Sequence, residues 1–144
     1  MQLSRFGSLT AGVSFAFALV ACSVSTSHIG SLKLGKDKDI SAETTTFAPQ
    51  DGIYAKATGD NLAGKVTINW QTIAENVKGQ PPNSAISSLD KSFDMEQDGT
   101  ADYDLTPPAA GWPAGTYKIV VTMMDNGAQR DQKTQEFTVG AAGQ

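Results

Sequence analysis

Residues 65–71 alternate strictly between polar and apolar side chains, and this two-residue period constrains the fold more than any other feature of the sequence. The apolar members are Val66, Ile68 and Trp70. Similar alternation recurs at 53–58, 117–123 and 137–139. Successive side chains of a β-strand point to opposite faces, so the pattern indicates strands with one buried and one solvated face. No stretch sustains a helical period, and the best helical candidate, 70–77, is short. The sequence predicts an all-β fold.

Turn-forming residues separate these runs. They include Gly59-Asp60-Asn61, Asp98-Gly99 and Asp125-Asn126-Gly127. Asn-Gly between two alternating runs is a strong hairpin signal, because both residues tolerate positive φ. We therefore expect an antiparallel hairpin formed by 115–124 and 128–139. Several short strands with turns between them indicate a sandwich or a barrel.

The charge and the composition exclude several classes of protein. With 11 basic and 15 acidic residues the net charge is −4, which argues against nucleic acid as a partner, because phosphate binding needs clustered Lys and Arg. A hydrophobic fraction of 40% argues against a disordered chain. One Cys cannot form a disulfide within the chain, and one His leaves little material for a metal or acid–base site.

The first 21 residues read as a secretory signal peptide. Arg5 is followed by an apolar run over 6–21 that is shorter than a spanning helix requires. At its end, Leu19-Val20-Ala21-Cys22 resembles the lipobox of bacterial lipoprotein precursors. The resemblance implies cleavage before Cys22 and its modification by diacylglycerol, which would anchor the protein to a membrane. The alternative is an ordinary signal peptide in which Cys22 has no role.

The resemblance also implies a location. A Ser after the lipidated Cys, here Ser23, goes with sorting to the outer membrane in many Gram-negative species, so we expect an anchor in the bacterial cell envelope that faces the periplasm. The predicted organisation is a signal peptide (1–21), a lipidated N-terminus and tether (22–30), a β-domain (31–140) and a tail (141–144). His28, the only histidine, would belong to the tether.

Two aromatic residues suggest which β-fold this is. Trp70 lies on the inward face of the third strong strand, and Tyr117 begins a late strand after a Gly-Trp-Pro-Ala-Gly-Thr turn over 111–116. Such a Trp and such a Tyr are hallmarks of immunoglobulin-like sandwiches. The span resembles a bacterial Ig-like or fibronectin-type domain. We expect one antiparallel sandwich of about seven strands without the disulfide of antibody domains.

Evidence for catalysis or for a metal is weak. Oxygen-bearing side chains at 94, 96 and 98, followed by Gly99, resemble the start of an EF-hand loop, but its twelfth position is Leu105 instead of Glu. The alternative is two strands around a turn at Asp98-Gly99. Neither His28 nor Met123-Met124 has the neighbours that a transition-metal site needs. The sequence predicts no enzyme, no cofactor and no metal site.

The remaining hypothesis is binding of a protein. Trp and Tyr dominate interface hot spots, and long connections are often functional. The predicted contact residues lie in two connections: Trp112, Pro113, Pro81, Pro82 and Asn83. Trp112 has a second interpretation, as a lid over one end of the core. We expect a non-catalytic accessory domain with an envelope protein partner; the alternative is an inhibitor or ligand sensor that acts on an envelope hydrolase through a loop.

Overall fold

The computed structural model describes residues 26–141, and strands account for most of them. The predicted signal peptide, Cys22 and most of the predicted tail lie outside the described residues. Nine strands occur in the order β1 (His28–Gly35), β2 (Thr46–Phe47), β3 (Ile53–Asp60), β4 (Val66–Val77), β5 (Ser84–Ala85), β6 (Lys91–Met95), β7 (Gly99–Leu105), β8 (Gly115–Asp125) and β9 (Ala128–Val139). A single 3₁₀ turn, Ser87–Leu89, is the one helical element in the described part of the chain.

The strands form two sheets that enclose the core between them. One sheet has the order β1-β3-β7, and the other has the order β2-β9-β8-β4-β5, with β6 also paired to β4. The first sheet matches strands A, B and E of an immunoglobulin-like sandwich, and β4, β8 and β9 match C, F and G. The predicted all-β sandwich is confirmed. Two details differ from the prediction: β2 pairs with β9 in parallel, and two of the nine strands have only two residues.

A stacked aromatic pair joins the two sheets at the centre of the core. The rings of Trp70 on β4 and Tyr103 on β7 have centroids 4.9 Å apart and an interplanar angle of 10°. Both residues are fully buried. The Tyr103 hydroxyl donates to the Leu89 carbonyl at 2.8 Å and lies 2.8 Å from the hydroxyl of Thr72. The pair therefore holds β4, β7 and the connection before β6 in one arrangement.

Tyr117 fixes the corner that leads into β8. Its hydroxyl donates to the Pro113 carbonyl four residues upstream at 2.6 Å, and its ring stacks on Phe137 with centroids 5.1 Å apart. This is the tyrosine corner of immunoglobulin-like domains. Among the seven strands of five or more residues in the described part of the chain, Trp70 lies on the third, as the sequence predicted, and Tyr117 lies near the start of the sixth.

The predicted hairpin between β8 and β9 is confirmed. The two strands pair in antiparallel fashion from Gly115 opposite Val139 to Asp125 opposite Ala128. Asn126 and Gly127 form the turn with φ values of 51° and 79°. Both values are positive, as a two-residue type I′ turn requires, and Asn and Gly are the residues that adopt them at least cost.

The start of the first strand corrects the predicted boundary of the tether. β1 begins at His28 and not after residue 30, so His28 belongs to the sandwich. Ile29 is buried, and its backbone N–H donates to the Asp131 carboxylate at 2.8 Å. A register shift between Ile29 and Leu32 interrupts the pairing with β3, which explains why the local sequence shows no clear alternation. The short helical candidate at 70–77 is part of β4.

Tyr117→Phe tests the corner. The variant keeps the ring stack on Phe137 but loses the hydrogen bond to Pro113, so we expect the free energy of unfolding to fall by about 1 kcal/mol. Chemical denaturation measures the change. Tyr54→Phe is the matched control, because the Tyr54 hydroxyl has no hydrogen bond within residues 26–141 and its loss should cost less than about 0.5 kcal/mol. Equal stability of the two variants would contradict the role given to Tyr117.

Candidate functional site

The two ends of the sandwich carry different features, and we call them the N-terminal pole and the opposite pole. At the N-terminal pole, β1 begins at His28, beside the 61–65 connection and the 126–127 turn. Ser27 Oγ donates to the Asn61 carbonyl there at 3.1 Å. At the opposite pole, β4 ends at Val77, β8 begins at Gly115 and β9 ends at Val139. The 78–90 and 106–114 connections lie at this pole.

A small cleft lies at the opposite pole between these two connections. Its volume is about 200 Å³, and its wall is mainly apolar: Ile86, Leu89, Pro108, Trp112, Pro113 and Tyr117, with Gln80 and Ser88. The polar atoms of both aromatic residues are already engaged. Trp112 Nε1 donates to the Asp51 carbonyl at 2.9 Å, and the Tyr117 hydroxyl donates to Pro113. The cleft therefore offers apolar contact and little hydrogen bonding.

The structure places Trp112 in the wall of the cleft and not on a protruding loop. The residue is 7% exposed, and its backbone N–H donates to the Pro49 carbonyl at 2.7 Å. Gly111 makes this approach possible, because it has φ +82° and a Cβ there would lie 2.9 Å from Pro49. Trp112 is therefore not an exposed side chain, and its burial agrees with the alternative of a lid over one end of the core, while its contact with a partner stays a prediction. Pro113 is exposed.

The 78–90 connection is ordered by hydrogen bonds to β4. Asn83 N–H donates to the Glu75 carbonyl, and Ile86 N–H donates to the Thr72 carbonyl. Ser84 and Ala85 form β5 opposite Ala74 and Ile73. Pro81, Pro82 and Asn83 are exposed at the tip, and Asn83 has a positive φ of 54°. The predicted contact residues in this connection thus form a defined turn on the surface.

The predicted residues meet at one pole, but only some line the cleft. Trp112 and Pro113 line it directly, whereas Pro81, Pro82 and Asn83 follow Gln80 at its margin. The cleft wall also contains three residues that the sequence did not identify as contact residues: Ile86, Leu89 and Pro108. Residues 86 and 89 are apolar within a polar connection, and this pattern could have indicated them. The position of Pro108 depends on the path of the chain after β7, which no local pattern predicts.

The segment with the EF-hand-like spacing does not form a loop around one point. The Asp98 carboxylate accepts from the amides of Leu62 at 2.7 Å and Asn61 at 3.0 Å, and these bonds lower its pKa. The Asp94 carboxylate accepts from Thr67 Oγ1 at 2.8 Å and lies 3.2 Å from Lys65 Nζ. The Asp98 carboxylate therefore binds the start of the 61–65 connection, whereas the Asp94 carboxylate binds Lys65 at its end and Thr67 on β4, so the two do not converge on one point.

Other chemistry-bearing residues are dispersed. Within residues 26–141 no three His, Cys, Asp or Glu side chains come together in a way that could hold a metal ion. His28 lies on the surface, with Nδ1 3.0 Å from the Thr26 carbonyl and Nε2 4.0 Å from Asp60. No helix in the described part of the chain has the length and hydropathy needed to cross a membrane.

Comparison with known proteins adds no relative. No protein-family model matches the chain, and a search of curated proteins finds no similar sequence.

Proposed function

We propose that this chain is a lipid-anchored protein of the bacterial cell envelope whose sandwich binds a protein partner at the opposite pole. The proposal needs no catalytic group. Two features support it: the lipobox-like residues that end at Cys22, and the start of the sandwich only a few residues later, at His28. The observation that carries it is the separation of His28, which begins β1, from the cleft and the exposed Pro81-Pro82-Asn83 turn at the other end.

The length of the strands sets the geometry of such an anchor. Six residue steps separate Cys22 from His28, and an extended chain covers at most about 3.3–3.6 Å per residue, so the N-terminal pole would lie within roughly 20 Å of the lipid. The 12 residues of β4 run from this pole to the other. At about 3.3 Å per residue, that strand separates the two poles by roughly 40 Å, so in the proposed arrangement the cleft would lie up to that distance farther from the membrane.

The size of the cleft favours a protein partner over a small ligand. Pockets that bind drug-sized molecules usually have volumes of about 300–1,000 Å³, whereas this cleft has about 200 Å³. A cavity of that size with apolar walls suits one or two apolar side chains. The exposed turn at 81–83 and exposed Pro113 would form the margin of the interface. Anchoring in a membrane raises the effective concentration for a partner held in the same membrane.

Cys22→Ser tests the anchor. If Cys22 carries the lipid, the variant remains an unprocessed precursor or loses its membrane attachment, because a serine cannot form the thioether. Cell fractionation and mass spectrometry of the N-terminus measure both effects. Ser25→Ala is a control in the same segment and should be processed like the wild type. Normal processing and membrane attachment of the Cys22→Ser protein would contradict the proposal.

In-cell photo-cross-linking tests the partner surface. A benzoylphenylalanine introduced in place of Asn83 should form a discrete adduct with an envelope protein. The same residue in place of Gly64 is the matched control, because Gly64 is exposed at the N-terminal pole with open space around it. Adducts from position 64 alone, or from neither position, would contradict the proposal. An adduct at position 83 with a lytic enzyme, together with inhibition of that enzyme, would instead support the inhibitor hypothesis.

A further inference from the structure

The outer edge of β7 has no neighbouring strand in the described part of the chain. β7 is the last strand of the three-stranded sheet, and within residues 26–141 it pairs only with β3, from Ile53 opposite Leu105 to Gly59 opposite Gly99. The pairing continues over all seven residues without a bulge. Gly99, Thr100 and Asp102 are exposed. The opposite edge of this sheet differs, because β1 is tied to β9 through the bond from Ile29 N–H to Asp131.

Alternation of the backbone identifies the residues whose polar groups face this edge. Thr44 N–H donates to the Leu34 carbonyl on the far side of β1. The backbone N–H and C=O of successive residues point to opposite sides of an antiparallel strand, so those of Gly35 point towards β3. Gly35 pairs with Tyr54, whose N–H and C=O therefore point towards β1. Asp104 lies opposite Tyr54 on the other side of β3, so its own N–H and C=O point away from β3. The same alternation places the amides and carbonyls of Asp102 and Thr100 on the open edge.

One of these carbonyls already accepts a hydrogen bond from a cation. Lys91 Nζ donates to the Asp104 carbonyl at 3.2 Å and lies 5.8 Å from the centroid of the Tyr103 ring. Lys91 comes from β6 in the other sheet and is itself exposed. The Lys91 ammonium group is thus held at the open edge by one backbone carbonyl and one aromatic ring, and an incoming strand would replace it.

The two carboxylates at this edge favour an incoming strand that carries positive charge. Asp102 and Asp104 lie on the outer face of the sheet, two residues apart. Lys56 Nζ is 3.9 Å from the Asp102 carboxylate, with both side chains partly exposed, and no cation lies within 4.0 Å of the Asp104 carboxylate among residues 26–141. A residue directly opposite an aspartate in an antiparallel pair is favoured when its charge is opposite and disfavoured when it is the same.

A second copy of the chain fits this edge poorly. Pairing two β7 strands over their full length sets Asp102 against Asp102, and the next register sets Asp102 against Asp104. Like charges directly opposite each other destabilise a strand pair. The edge is therefore protected against self-association, in the manner of natural edge strands that carry charges, while it stays open to a strand of opposite charge.

We propose that the open edge of β7 binds an extended segment of a protein partner that carries Lys or Arg at alternate positions. The segment adds a fourth strand to the three-stranded sheet, exchanges backbone hydrogen bonds with Thr100, Asp102 and Asp104, and sets its cations against the two carboxylates. This surface is separate from the cleft at the opposite pole, and the proposal does not depend on lipidation of Cys22.

A designed peptide tests strand addition on the full chain in non-ionic detergent. The probe is acetyl-Thr-Lys-Val-Lys-Val-Lys-Thr-amide, and amide hydrogen exchange followed by NMR reports protection at each residue. We expect at least tenfold slower exchange at Thr100, Asp102 and Asp104. A peptide with Glu for Lys should give no protection. A peptide methylated on the three Lys amides keeps its charge but cannot pair, and it should also give none.

Two sets of variants separate charge at the edge from charge elsewhere. Asp102→Lys with Asp104→Lys should reverse the preference, so that the Glu peptide binds at least tenfold more tightly than the Lys peptide. Asp39→Lys with Glu136→Lys makes the same change of charge at exposed sites away from β7 and should keep the preference of the wild type. Lys91→Ala should tighten binding of the Lys peptide severalfold, because it frees the Asp104 carbonyl.

Several outcomes would overturn the proposal. Protection by the methylated peptide as strong as by the unmodified one would mean attraction by charge without strand pairing. Absence of protection at Thr100, Asp102 and Asp104 with the Lys peptide would exclude the edge as its site. A dimer of the wild type in analytical ultracentrifugation, dissociated by charge reversal at 102 and 104, would identify a second copy as the occupant.

Discussion

The stack of Trp70 on Tyr103 is the contact on which the arrangement of the sandwich depends. It joins β4 and β7, which belong to different sheets, through the largest side chains of the core. The Tyr103 hydroxyl extends the link to Leu89, so the position of one cleft wall follows from the same residue. Burial raises the pKa of Tyr103 to about 12. Folding therefore favours the neutral hydroxyl of Tyr103 over its ionised form. The contribution of this hydroxyl to the free energy of unfolding is complete below about pH 10 and is lost as the pH rises towards 12.

The sandwich is closed along one side and open along the other. On the closed side Asp131 ties β1 to β9, while on the open side β6 and β7 are the outer strands of different sheets. Side chains connect this side of the two sheets, because Lys91 on β6 donates to the Asp104 carbonyl of β7 and Tyr103 on β7 donates to the Leu89 carbonyl just before β6. Within residues 26–141 no strand lies beside the outer edge of β7, which leaves this acidic edge open. The cleft has a different origin, because the 78–90 and 106–114 connections build it at the opposite pole.

The sequence predicts the core better than the surfaces, for physical reasons. Alternation and turn chemistry act locally, so the β8–β9 hairpin and the inward faces of Trp70 and Tyr117 could be inferred. Burial of Trp112 depends on the carbonyl of Asp51, which lies 61 residues earlier in the chain, and no local pattern contains that information. The start of β1 at His28 was hidden by a bulge. The open edge of β7 is a property of strand order, which alternation does not specify.

We propose that a lipid at Cys22 holds the N-terminal pole near the membrane and directs the cleft away from it. Paramagnetic relaxation of backbone amides, measured on the full lipidated chain in bilayers that contain a gadolinium-labelled headgroup, tests this most directly. We expect strong broadening at 61–65 and 126–127, with little at 79–83 and 109–113, because β4 spans roughly 40 Å between the poles. Equal broadening at both poles, or stronger broadening at the cleft, would contradict the claim.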